Sequence, residues 1–138
     1  MDGVITILAT DHAPHHADEK RNPMSDAPFG IIGLESALGL YHKALVETEL
    51  IDWPKLIELM TINPARLCGL DEKGLGKIEA GGPADLTLID PDHRWTLSED
   101  DLAGKSSNTP FLGWEMGTRS ILTMVSGEIR NARELSMA

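Results

Sequence analysis

The chain has 138 residues, the length of one ordinary domain, and 41% of them are apolar, which is typical of a globular rather than a disordered protein. It carries 12 Lys and Arg against 22 Asp and Glu, and this net charge of -10 argues against nucleic-acid or anionic-membrane binding, because those surfaces require clustered cations. Its apolar runs are too short to span a bilayer and no basic segment precedes an apolar one, so neither a transmembrane helix nor a signal peptide is predicted.

The first predicted element is the apolar, β-branched segment "VITILAT" at residues 4–10. It lacks the alternation of a strand with one solvated face, and therefore predicts a strand that is buried on both faces, as in a parallel sheet. A polar loop rich in His, Asp, Asn and Pro follows, from Asp11 to about Gly30. Its mixed-charge part, "DEKRNPMSD", is interpreted as a solvated surface.

Helices are predicted next, beginning with "IIGLESALGLYHKALVE", where apolar residues recur at helical spacing. Asp52 is predicted to cap a helix over "WPKLIELM", and Asn63 to cap a shorter helix that stops near Gly69. The single cysteine, Cys68, lies in this apolar helical context and is assigned a packing role. One cysteine excludes an internal disulfide and fits a reducing cytoplasm.

The second part of the chain has the pattern of short strands. A turn at residues 81–83 precedes "ADLTLID", "HRWTL" predicts another short strand, and "TRSILTMV" with "EIRN" predicts a hairpin that has Gly127 in its turn. "SSNTPFLG" is interpreted as an ordered loop joining strands, in which Asn108 and Thr109 satisfy backbone groups. The chain is thus expected to join an α/β piece to a β-rich piece.

This organisation leaves the first strand without neighbours. A parallel strand requires partner strands supplied by crossover connections, and none is recognisable in the sequence. We therefore expect a missing partner, either an N-terminal barrel portion or a companion chain.

The loop after the first strand concentrates side chains that can ligate metals and transfer protons. "DHAPHH" holds Asp11 at the predicted strand end, followed by His12, His15 and His16. A carboxylate there can ligate a divalent cation, accept a proton from water, or do both. The three histidines are too close in sequence to surround one ion easily, so a solvated polar loop is an equally good interpretation of the spacing alone.

The segments "ATDHAPHHADEK" and "PFGIIGLE" resemble the active-site stretch of the dihydroorotases, zinc hydrolases of the amidohydrolase superfamily. The resemblance continues, in the family's order, through "TINPARLCGL", "GLGKIEAGGPADLTLID" and "KSSNTPFLGWEMGTRSILTMVSGEIR". It implies an α/β fold, made of the C-terminal part of a (β/α)8 TIM-type barrel and strands of a β-sandwich domain. Residues 1–69 would form the last strand, active-site loop and closing helices, and residues 70–138 the C-terminal part of the sandwich.

The resemblance also implies site residues. Asp11 would ligate one zinc ion and act as the general base and acid in the reversible conversion of dihydroorotate to N-carbamoyl-L-aspartate. His15 would bind the carboxylate of the substrate, while Phe29 and Gly30 would contact its pyrimidine ring. The remaining ligands of the family's two zinc ions cannot be assigned to this chain.

Two functions of different class stay open at this point. One is a C-terminal portion of an active dihydroorotase in de novo pyrimidine biosynthesis, cytoplasmic, inactive alone and prone to self-association through its uncovered barrel edge. The other is a non-catalytic relative that serves as a structural or assembly partner, for example of aspartate carbamoyltransferase. Another cyclic amidohydrolase, of the hydantoinase or allantoinase type, is a further alternative. His12 and His16 are expected to make local hydrogen bonds rather than to contact substrate.

Overall fold

The computed structural model describes residues 3–133; the outermost residues of the two predicted domains, 1–2 and 134–138, lie outside the described residues. Short helices precede short strands along the described chain. The helices are α1 (Ala17–Lys20), α2 (Ala37–Tyr41), α3 (Trp53–Met60) and α4 (Ile62–Leu67); the strands are β1 (Leu86–Asp90), β2 (Trp95–Thr96), β3 (Glu115–Met116), β4 (Arg119–Val125) and β5 (Glu128–Ala132). Between residues 3 and 133, no helix is both long and apolar enough to cross a membrane.

The segment at residues 4–10 is not a strand in this structure, which corrects the first prediction. Its apolar side chains are largely exposed, with Val4 at 86% and Ile5 at 57% of full accessibility. A strand is defined by hydrogen bonds to neighbouring strands, and the described residues supply none to this segment. It is instead attached to the helices, because Leu8 N donates to Leu59 O (3.1 Å) and Leu8 packs against the helical core.

The helix predicted within residues 31–47 is shorter than its periodicity indicates. Only α2 is regular, and residues 42–46 continue it as a π-helical turn. The predicted cap of α3 is confirmed, since an Asp52 carboxylate oxygen accepts from Lys55 N at 3.0 Å. The predicted cap of α4 is wrong: this helix begins after Thr61, and the Asn63 amide donates instead to Thr6 O at 2.8 Å. That bond gives the extended segment a second attachment.

Burial is concentrated where α3 meets the turn before it. Ile51, Leu56 and Leu59 form the buried cluster, and partly buried apolar side chains pack around it: Leu8, Leu38, Tyr41, Leu45, Val46, Trp53 and Met60. Cys68 is exposed, so its predicted packing role is wrong. It is the residue that caps the C-terminal end of α4, just beyond the helix, where helical periodicity no longer decides which residues are covered.

The strands form two antiparallel sheets, one with the order β1-β4-β5 and one that pairs β2 with β3. All of the strand predictions in this part of the chain are confirmed. The β4–β5 hairpin turns at Ser126 (φ 51°) and Gly127 (φ 80°), two consecutive positive φ angles that match the right-handed twist of the paired strands. The two parts of the chain touch where α2 meets β3: a Cβ on Gly39 would lie 2.9 Å from Met116 Sδ and 3.1 Å from Met116 Cβ, so a larger residue would have to displace the buried Met116 side chain.

An ion pair fastens the loop after β2 to β4. The Asp101 carboxylate is paired with the Arg119 guanidinium, and its second oxygen accepts from Ser98 Oγ (2.7 Å) and Ser98 N (3.0 Å). Arg119 also stacks over the Trp95 ring at 3.9 Å. Burial is the largest single influence and raises the pKa of Asp101, but the Ser98 hydrogen bonds and Arg119 together outweigh it, and the net pKa is lowered.

A lowered pKa makes this carboxylate a source of acid sensitivity. Its contribution to the free energy of unfolding is complete above the ordinary aspartate pKa of about 3.9, and is lost as the pH falls through the lower folded value. Asp101→Asn should therefore cost about 1–3 kcal/mol at pH 7, because it leaves Arg119 poorly paired, and the cost should shrink below about pH 4. Urea unfolding from pH 7 down to pH 2.5 measures this.

Asp100→Asn is the matched control, since Asp100 is an exposed neighbour and the variant makes the same change of net charge. Parallel stability curves for the two variants across this pH range would contradict the assignment.

Candidate functional site

Asp11 begins the histidine loop in a strained backbone conformation. Its φ of 47° lies in the left-handed region, which few residues other than glycine adopt, although aspartate is among the more tolerant ones. The segment before it is attached on two sides, by Asn63 at Thr6 O and by the Tyr41 hydroxyl, which donates to Ala9 O at 2.7 Å. The Tyr41 hydroxyl is a donor at neutral pH, and burial raises its pKa further. The Asp11 side chain is exposed, at a place that the helices hold fixed.

His16 makes local hydrogen bonds, as expected, whereas the hydrogen-bond partner of His12 lies 21 residues along the chain. His12 Nδ1 accepts from Gly33 N at 3.2 Å, next to a parallel bridge between His12 and Ile31. His16 caps α1: its Nδ1 accepts from Asp18 N at 3.2 Å, and the Glu19 carboxylate accepts from His16 N at 3.3 Å. Both rings therefore shape the loop backbone.

The structure brings His15 and Gly30 together from opposite ends of the loop. Gly30 has a φ of 108°, and a Cβ there would lie 2.5 Å from Ala13 Cβ and 3.4 Å from His15 Nε2. Both the conformation and the space therefore require glycine. His15 keeps 25% of its side chain exposed, and its Nδ1 lies 3.8 Å from a Glu19 carboxylate oxygen. The imidazole is thus packed along one side and open to solvent on another.

Phe29, the fourth predicted site residue, projects almost entirely into solvent. Its relative exposure is 92%, the same as that of Met24 in the same loop. Asp11, Phe29 and Gly30 do not line the cavity of about 500 Å³ beside His15, which is formed by residues of the histidine loop between 12 and 17 and by residues 104–107. Of the predicted site residues, His15 alone contributes to that cavity.

Sequence reasoning missed two residues that hold this loop. Asn108 accepts from His15 N (3.2 Å) with its Oδ1 and donates from Nδ2 to Ala13 O (2.9 Å) and Gly30 O (3.3 Å). Lys20 donates to Pro28 O (2.9 Å) and Gly30 O (3.0 Å), so it is not part of a solvated surface as predicted. Asn108 was expected to satisfy backbone groups, but nothing in the sequence indicates that those groups belong to a loop more than ninety residues earlier.

The described residues do not form a metal site by themselves. Within residues 3–133, no three His, Cys, Asp or Glu side chains converge closely enough to hold an ion. A zinc site needs three or four protein ligands. Asp11 could contribute one carboxylate ligand, and the others would have to come from outside these residues.

Comparisons with known proteins agree with the resemblance read from the motifs. The model of the amidohydrolase family matches residues 1–130. The dihydroorotase of Lactiplantibacillus plantarum is 42% identical over 134 residues, which cover 97% of this chain and 31% of that protein. The dihydroorotase of Geobacter metallireducens is 45% identical over 128 residues, which cover 93% of this chain and 29% of that protein.

A solved structure supports the same architecture. The L-hydantoinase (dihydropyrimidinase) of Arthrobacter aurescens superposes with a TM-score of 0.84 at 27% identity, over 99% of this chain and 31% of that one. The predicted fold class, part of an α/β barrel with strands of an adjoining β domain, is thereby confirmed. The chain spans about a third of the length of the relatives that it matches.

Proposed function

Because this chain belongs to the amidohydrolase family, we propose that it supplies part of the active site of a dihydroorotase, a zinc-dependent enzyme that interconverts dihydroorotate and N-carbamoyl-L-aspartate. The observation that carries this proposal is the 42–46% identity to dihydroorotases across at least 93% of the chain. Identity to the hydantoinase structures is lower, at 26–27% for the Thermus and Arthrobacter proteins, so the dihydroorotase substrate is preferred to a hydantoin.

Asp11 is proposed as the proton carrier. In hydrolysis, the oxygen of water bonds to the ring amide carbon, the carbon–nitrogen bond breaks, and one proton passes from the water to the departing nitrogen. An exposed carboxylate on a fixed backbone can take that proton and return it without a change of conformation. The strained φ of Asp11 supports this role, because strain of this kind is concentrated at functional sites.

His15 and Gly30 are proposed to bind the substrate. Dihydroorotate is a carboxylate, and the accessible edge of the His15 imidazole is a suitable donor to it. The missing Cβ of Gly30 lets the loop backbone approach a planar ring, and the adjacent Phe29 ring is available to cover it. Zinc is proposed as the metal, with Asp11 as the ligand that this chain supplies. Residues 1–69 are proposed to belong to the barrel, and residues 70–138 to the β-sandwich domain.

A hybrid enzyme tests the proposal. In this hybrid, the whole chain replaces the matching segment of the L. plantarum dihydroorotase. We expect zinc-dependent turnover of dihydroorotate, measured as N-carbamoyl-aspartate formed. A folded hybrid that binds zinc but converts only hydantoins would favour the hydantoinase alternative. A folded hybrid that converts neither substrate would favour the non-catalytic partner, for which aspartate carbamoyltransferase is the first candidate to test by co-purification.

The role of His15 can be separated from that of its neighbours. His15→Ala in the hybrid should raise KM for dihydroorotate by roughly 10- to 100-fold, the loss expected for a hydrogen bond to a charged group, with a smaller change in kcat. His93→Ala is the control, because His93 lies beside Asp90 and does not line the cavity next to His15. Equal KM values for the two variants would contradict the assignment.

A further inference from the structure

We propose that Asn108 is a positioning residue that holds His15 and Gly30 at the spacing needed to bind substrate; the part that concerns substrate rests on the proposed function. Asn108 lies outside the histidine loop, in the segment between β2 and β3. It is only partly buried, and its side chain bonds to both ends of the histidine loop, which are also joined directly by the Ala13 N to Ile31 O bond (2.9 Å).

Four hydrogen bonds make the connection. The side-chain Oδ1 accepts from His15 N, and the two hydrogens of Nδ2 point toward Ala13 O and Gly30 O. The backbone of Asn108 adds a fourth bond, since its carbonyl accepts from Ile32 N at 3.2 Å. One residue therefore contacts the start of the histidine loop, its end, and the chain that leaves it.

The chemistry of these partners requires an amide. One side of the group faces an N–H donor and the other faces two carbonyl oxygens, so the opposite amide orientation would direct oxygen at oxygen. An aspartate has nearly the same shape but no N–H, and at neutral pH its charge would repel both carbonyls. A serine or alanine would leave all three loop groups without these partners.

The connection also determines the shape of the cavity beside His15. One wall is the histidine loop, and the other is residues 104–107, which immediately precede Asn108. Lys20 donates a second hydrogen bond to Gly30 O. Its other side-chain bond goes to Pro28 O, and neither bond involves His15. Losing Asn108 should therefore remove the hydrogen-bond partner of His15 N, while Lys20 still binds Gly30 O and the Ala13 N to Ile31 O bond still joins the two ends of the loop. Because the loop is long and polar, releasing it restores backbone entropy that ligand binding would then have to overcome.

The first test measures the connection in the full chain, without any substrate. Amide hydrogen exchange at His15, followed by NMR, should become about 5- to 10-fold faster in Asn108→Asp, which corresponds to about 1 kcal/mol. The aspartate keeps an oxygen that can accept from His15 N, but it loses both bonds from Nδ2 and its charge repels the Ala13 and Gly30 carbonyls, so the loop should open more often. Asn22→Asp is the matched control, since Asn22 is exposed in the same loop and the variant adds the same charge. Asn108→Ser is the second variant, and circular dichroism identifies any variant that fails to fold.

The second test measures the consequence in the hybrid enzyme. Asn108→Asp and Asn108→Ser should raise KM for dihydroorotate by about tenfold while kcat falls less, and Asn22→Asp should change neither. Unchanged His15 exchange in folded Asn108 variants would overturn the proposal, and so would faster exchange with an unchanged KM. A wild-type hybrid without activity would contradict the proposed function instead, while faster exchange at His15 would still support the positioning role of Asn108.

Discussion

Asp11→Asn in the hybrid enzyme is expected to lower kcat for dihydroorotate by about 10²- to 10⁴-fold, the range that a positioned general acid and base contributes. The variant keeps the size of the side chain and removes its ability to take up a proton. Asparagine also tolerates a left-handed backbone, so the φ of 47° at this position should be retained. The loss of activity should therefore occur without a loss of stability, as steady-state kinetics and thermal unfolding of the same preparation can measure.

Asp18→Asn is the matched control for this experiment. Asp18 belongs to the same loop, its side chain is 72% exposed, and it forms a surface pair with Arg21, so its replacement removes the same charge from a place of no proposed chemistry. Exposed pairs of this kind contribute at most about 1 kcal/mol. An Asp11→Asn hybrid that keeps more than a tenth of the wild-type kcat would exclude Asp11 as the proton carrier.

Leu56→Ala is expected to have the largest effect on stability, lowering the free energy of unfolding by about 2–5 kcal/mol. Leu56 is completely buried on α3, where it packs with Ile51 and Leu59. Leu8 packs against the same cluster, so the cavity left by the variant would also loosen the segment that carries Asp11. Urea unfolding followed by circular dichroism gives the change directly.

Leu67→Ala provides the comparison on the adjacent helix. Leu67 is 76% exposed at the end of α4, and its truncation should change the free energy of unfolding by no more than about 0.5 kcal/mol. Losses of equal size in the two variants would mean that the cluster around Leu56 does not stabilise the chain, and would contradict the location of the core.

Several features follow from the sequence by itself because their causes are local. The Asp52 cap and the turn of the β4–β5 hairpin each depend on a few adjacent residues, so sequence and structure agree there. The same holds for His16, whose hydrogen-bond partners Asp18 and Glu19 lie in the next turn of the chain. The family resemblance can also be recognised from the sequence, because contiguous motifs carry it.

Tertiary structure decided the rest, because those features depend on which distant groups meet. Residues 4–10 have the composition of a buried strand, yet a strand requires neighbours, and here helices hold the segment instead. Cys68 has an apolar setting in sequence but is exposed just beyond the end of a short helix.

Asn108 is the clearest example of a role that only the tertiary structure determines. No local pattern distinguishes an asparagine that satisfies its own turn from one that joins His15 to Gly30 across the molecule.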